Sequence, residues 1–95
     1  MRYNETSLKD ALNAFVEAHG LKEKLLETEL RQKWETIAGQ TIARYTKKLY
    51  VKKKKLYLEV LTPVIKQEIT YSKSTFIEII NKEIGKDFVT DIIIF

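Results

Sequence analysis

Apolar residues recur every three to four positions through Leu8, Leu12, Phe15 and Val16, and again through Leu21, Leu25, Leu26, Leu30, Trp34 and Ile37. That spacing places each set on one face of a helix. The first predicted helix covers roughly residues 7–19, with Ser7 and Asp10 spaced as a capping box and Gly20 as its C-cap. The second runs from Leu21 to a terminator at Gly39, with Thr28 as a candidate break and new N-cap. Ile42 then continues the apolar stripe through a short helical turn, "GQTIARYT".

From Thr46 the period changes to two. Leu49 and Val51 alternate with Lys48, Tyr50 and Lys52, and Leu56, Leu58 and Val60 alternate with Tyr57 and Glu59. A two-residue turn at Lys53 and Lys54 sets Val51 opposite Leu56, Leu49 opposite Leu58, Tyr50 opposite Tyr57 and Lys48 opposite Glu59, so apolar meets apolar throughout. Lys-Lys is an unusual choice for a tight primed turn, which favours Asn-Gly, and a longer loop is the alternative.

Pro63 opens a third helical pattern, since a missing N–H is tolerated at a helix start. Ile65, Ile69, Phe76, Ile77, Ile80 and Ile84 follow, predicting one long helix over roughly 63–84 that Gly85 closes. The β-branched run "DFVTDIIIF" predicts a third strand over roughly 89–95. The expected architecture is α+β in the order α-α-β-β-α-β, one domain over residues 1–95, with a small three-stranded sheet covered by helices on one face. The helical crossover returns the third strand parallel to the second. It is expected beside the first strand, in the order 2-1-3, antiparallel to that neighbour.

Charge sharpens this picture. Residues 1–43 carry six basic and seven acidic side chains, and residues 56–95 carry four and six. Residues 44–55 carry seven basic and no acidic ones, so the whole net charge of +4 comes from this stretch. A localised block of one sign concentrates the field at one surface and points to a polyanion. The chain has no Cys, hence neither a disulfide framework nor a thiolate metal site. No apolar run approaches the length of a bilayer span and the N-terminal stretch lacks a signal-peptide pattern, so a cytoplasmic location is expected and no membrane partner.

The series Trp34–Glu35–Thr36–Ile37–Ala38–Gly39, then Ile42–Ala43, then "LYLEVLTPVIKQEI" and "INKEIGKDFVTDIIIF" resembles the DciA-like family, whose founding member loads the bacterial replicative helicase. The resemblance implies a KH-like fold, affinity for DNA, single-stranded or forked, and contact with the DnaB-type replicative helicase. Many members have a Trp at the start of the long helix, where this chain has Val64 or Ile65, and an Asp-Gly turn where it has lysines.

The candidate nucleic-acid-binding residues are therefore Arg44, Lys47, Lys48, Tyr50, Lys52, Lys53, Lys54, Lys55 and Tyr57. Lysines neutralise phosphates and release counterions, while the tyrosines offer rings on which unpaired bases stack. The competing reading gives the lysines the task of keeping a hairpin soluble and the tyrosines that of a cross-strand pair. Backbone charge does not separate DNA from RNA, so RNA binding stays open. Trp34 lies on the apolar stripe and is expected in the core. His19 sits at a helix end, with no second His or Cys to share a metal. No combination of nucleophile, base and orienting group stands out, so neither catalysis nor a cofactor is expected. The apolar "IIIF" is either a strand buried on both sides or a surface for self-association or a protein partner, which would make the chain an interaction module without nucleic acid.

Overall fold

The computed structural model of the protein describes residues 5–85 and 87–95. Its elements run α1 (Glu5–Ala18), α2 (Lys22–Ala38), α3 (Gln40–Tyr45), β1 (Thr46–Lys52), β2 (Lys55–Val60), α4 (Pro63–Tyr71), α5 (Lys73–Ile84) and β3 (Asp91–Ile94). The fold is α+β with a three-stranded mixed sheet. The hairpin has the register expected from its alternation: Val51 faces Leu56, Leu49 faces Leu58, Tyr50 faces Tyr57 and Lys48 faces Glu59.

The strand order is β1-β2-β3, with β3 parallel to β2, which corrects the expected 2-1-3 order. The reason lies on the outer edge of β1. In an antiparallel pair closed by a two-residue turn, Leu49 and Val51 occupy non-hydrogen-bonded positions, so their outward C=O and N–H need partners elsewhere. Helix α2 supplies both: the Val51 N–H donates to Glu27 Oε1 at 2.9 Å, and Arg31 Nη2 donates to the Leu49 carbonyl at 2.9 Å. The β1 edge is thus taken, and β3 docks on β2, where the Phe95 N–H donates to the Leu58 carbonyl and the Val60 N–H to the Phe95 carbonyl.

The sheet's inner face carries Leu49, Val51, Leu56, Leu58, Val60 and Ile92, all buried, beneath Leu30 and Trp34 of α2, Ile65 and Ile69 of α4, and Ile80 and Ile84 of α5. Trp34 is a core residue as expected; its Nε1–H donates to Thr46 Oγ1 and that hydroxyl donates to the Ile42 carbonyl. One indole thereby ties α2 to the junction of α3 and β1. Gly39 makes the sharp exit from α2 possible, with φ 93° and ψ 159°, a region essentially closed to residues with a Cβ.

Three further expectations are corrected. The long helix is two, broken at Ser72 (φ −109°, ψ 22°), which lets α4 lie on β2 while α5 packs against α2 and β3. Helix α2 runs unbroken through Thr28, whose hydroxyl donates back to the Lys24 carbonyl. Ser7 lies inside α1 and not at its N-cap position, because the helix already includes Glu5. Pro63 does open α4, with Thr62 Oγ1 as the cap accepting from the Ile65 N–H. Asn81 holds the approach to β3: its Oδ1 accepts from the Phe88 and Val89 N–H groups and its Nδ2 donates to the Val89 carbonyl.

Helix α1 forms where its periodicity places it, yet its apolar face stays open, with Leu8 56%, Leu12 57% and Phe15 54% exposed. Two substitutions of the same chemistry separate this helix from the core. Leu30→Ala, at a fully buried position, should destabilise the fold by about 2–5 kcal/mol. Leu12→Ala should change it by no more than about 0.5 kcal/mol, both read from urea denaturation followed by circular dichroism.

Candidate nucleic-acid interface

The basic segment forms the hairpin of β1 and β2, and both turn residues, Lys53 (φ 51°) and Lys54 (φ 63°), lie in the left-handed region. This is the tight primed turn, built from residues that occupy that region at a cost of about 1 kcal/mol each. The tip does not project as a free arm: the Lys54 carbonyl accepts from the Thr90 N–H at 2.7 Å and from Thr90 Oγ1 at 3.1 Å. It is a rigid basic corner of the sheet.

None of the seven basic side chains from Arg44 to Lys55 is ion-paired among the described residues, whereas Arg31, Lys33 and Lys73 each are. Their surroundings differ, however. Lys48 and Lys52 share the outer face of β1 with Tyr50, and Lys55 shares that of β2 with Tyr57. Asp91 faces Lys55 across the β2–β3 ladder. The backbone N–H of Ile92, then Lys73 at 3.4 Å and the charge of Lys55, hold the Asp91 carboxyl below the ordinary carboxylate range. Lys55 is therefore partly neutralised. Lys54 leans over a hollow shared with Lys22, Glu23 and Asp87. Lys47 and Lys48 line a cleft between α2 and β1, while Arg44 borders a separate hollow on α3 with Gln40, Thr41 and Tyr45. Lys48 faces Glu59 without forming an ion pair, and Glu59 Oε2 has no hydrogen-bond partner among the described residues.

The two tyrosines stack on each other, with ring centroids 4.9 Å apart and planes at 8°, and Phe95 meets Tyr50 edge-on at 6.4 Å. Each tyrosine thus spends one face on its neighbour, so the cross-strand pair exists and only the remaining ring surface is open to a base. Phe95 and the half-buried Ile93 extend this aromatic patch across β3. The open edge of β3 is blunted where Asp91 Oδ1 accepts from the Ile92 N–H. His19 donates from Nδ1 to the Phe15 carbonyl and stacks on the Phe15 ring, which completes the end of α1. No group of three or more His, Cys, Asp or Glu suited to a metal occurs among the described residues. No described helix is long and apolar enough to cross a membrane.

A family model described as Dna[CI] antecedent, DciA, matches residues 7–94. The chain belongs to the DciA family. Neither a curated protein nor a solved structure matches it. The match spans α1 through β3, so in this DciA chain the basic hairpin lies inside the matched region.

The strained turn gives a direct check on this geometry. Replacing Lys53 by Asn and Lys54 by Gly should stabilise the protein by about 1 kcal/mol, because both residues then suit the left-handed region. Thermal unfolding would register this as a rise of roughly 4–8 °C.

Proposed function

We propose that this DciA-family chain is a non-enzymatic accessory protein of DNA replication, working in the cytoplasm, that binds DNA and contacts or helps to load the DnaB-type replicative helicase. Membership of the family supports the replication role and the helicase partner. The observation that carries DNA binding is the run of cations from Arg44 to Lys55, none of which is ion-paired within the described structure. Cations outside ion pairs can engage phosphates and release counterions from the nucleic acid, Lys55 less than the others because Asp91 faces it.

The proposed contact residues are Lys47, Lys48, Lys52, Lys53, Lys54 and Lys55 for phosphates, Tyr50 and Tyr57 for bases through their unspent surface, and Arg44 at the periphery. A three-stranded mixed sheet with helices on one face accords with the KH-like topology the family suggests. The three glycines, Gly20, Gly39 and Gly85, are too far apart for the Gly-x-x-Gly loop by which KH domains clamp a nucleic-acid backbone. The binding mode proposed here uses side-chain charge instead. For the protein contact, the uncovered face of α1 offers more exposed apolar surface than the blunted β3 edge.

Fluorescence anisotropy with a labelled single-stranded DNA, across a salt series, tests the reading. Affinity should fall steeply with salt, and changing Lys52, Lys53, Lys54 and Lys55 to Glu should abolish it. A parallel RNA oligonucleotide separates the two nucleic acids. Binding that is absent, or indifferent to salt, would leave the chain as a protein-interaction module.

A further inference from the structure

We propose that the cleft beside β1 is a phosphate-binding subsite for a single nucleic-acid strand, with Arg31, Lys47 and Lys48 as its donors. This inference rests on the nucleic-acid reading above and extends it to a residue outside the basic segment. The cleft has a volume of about 380 Å³ and is walled by Arg31, Gln32, Trp34 and Glu35 of α2 on one side and by Thr46 to Leu49 of β1 on the other.

Two local devices build it. The first is the bulge at the start of β1, where the register slips between Thr46 and Lys48 and leaves Lys47 without a partner on β2. A bulge re-aims a side chain that regular alternation would send to the opposite face. Here two consecutive lysines line the same cleft. The second is the placement of Arg31, whose Nη2 is held by the Leu49 carbonyl at 2.9 Å while the side chain stays 55% exposed. A guanidinium carries five N–H donors, so one committed to the Leu49 carbonyl leaves others for phosphate on a side chain that stays more than half exposed. Glu27, 3.7 Å away, is already engaged by the Val51 N–H and does not fully neutralise it.

Three cations line the cleft against one lining carboxylate, Glu35, with Glu27 beside Arg31 and Glu59 opposite Lys48, so Lys47 is the cation with no acidic neighbour among these and leads the phosphate contact. The cleft ends where Arg31 meets the Leu49 carbonyl, and from there the outer face of β1 leads from Lys48 to Lys52, about 14 Å along the strand. A groove walled by helix and strand admits one chain between them, whereas a duplex presents its phosphates on a convex cylinder that meets only the rim. A single strand lying in the cleft would pass Lys48 and reach the tip.

The test is the salt dependence of binding to a labelled single-stranded oligonucleotide and to a duplex of equal length, for wild type, Lys47→Gln, Arg31→Gln and the double variant. Each substitution should lower the slope of log affinity against log salt by about 0.7 for the single strand, and the double variant should bind roughly tenfold more weakly at low salt. Lys47→Gln carries the test if Arg31→Gln disturbs the β1 edge, which a thermal melt would reveal. Wild-type affinity and slope in Lys47→Gln and the double variant, with binding still lost in the Lys52 to Lys55 charge reversal, would overturn the cleft and leave the nucleic-acid reading standing. A slope change seen only with the duplex would overturn the single-strand assignment. No binding by wild type would remove both.

Discussion

The outer edge of β1 is hydrogen-bonded to a helix and not to a strand, and much of the structure follows from that. A hairpin with a two-residue turn leaves the Leu49 C=O and the Val51 N–H pointing outward, and an unmet polar group of this kind costs about 1–3 kcal/mol once shielded from water. Glu27 and Arg31, one helical turn apart on α2, meet both groups. Fixing α2 along this edge sets Leu30 and Trp34 over the inner face of the sheet, directs β3 to the far side of β2, and leaves a basic cleft where helix and strand diverge near Lys47. The same pair of side chains therefore closes an aggregation-prone edge and shapes the candidate site.

Local periodicity and pairing were legible in the sequence because each is written in neighbouring residues. The opposition of Leu49 with Leu58 and Tyr50 with Tyr57 follows from alternation about a fixed turn, and the structure has that register. Strand order was not legible, since Glu27 and Arg31 read as an ordinary i,i+4 surface pair and nothing in that spacing reveals that both reach a strand. The break at Ser72 was hidden for a related reason: it contains neither Gly nor Pro, and the apolar stripe continues across it from Ile69 to Phe76. Only the need for α4 and α5 to pack on different parts of the molecule accounts for it. For α1 the periodicity identified an apolar face but carried no information on whether anything covers it.

At the candidate site, the concentration of charge was visible and its division was not. One run of lysines separates into a tip and outer face, a cleft, and an outlying Arg44, while Lys54 and Lys55 approach acidic neighbours. Arg31 escaped notice because it lies in a segment whose charges nearly cancel, and only the fold brings it beside Lys47. The tyrosines form the cross-strand stack of the competing reading, which leaves part of each ring surface free. The turn retains two lysines in a conformation that favours Asn-Gly, so local stability alone does not account for them.

The proposed path of a nucleic-acid strand follows β1, from the cleft to the hairpin tip. Backbone amide chemical-shift mapping by NMR, with a short single-stranded DNA added to the labelled protein, tests it most directly. Perturbations should concentrate from Lys47 to Lys55 and around Arg31, with α1 unmoved. Perturbations confined to α1 or to α4, with the hairpin silent, would contradict it.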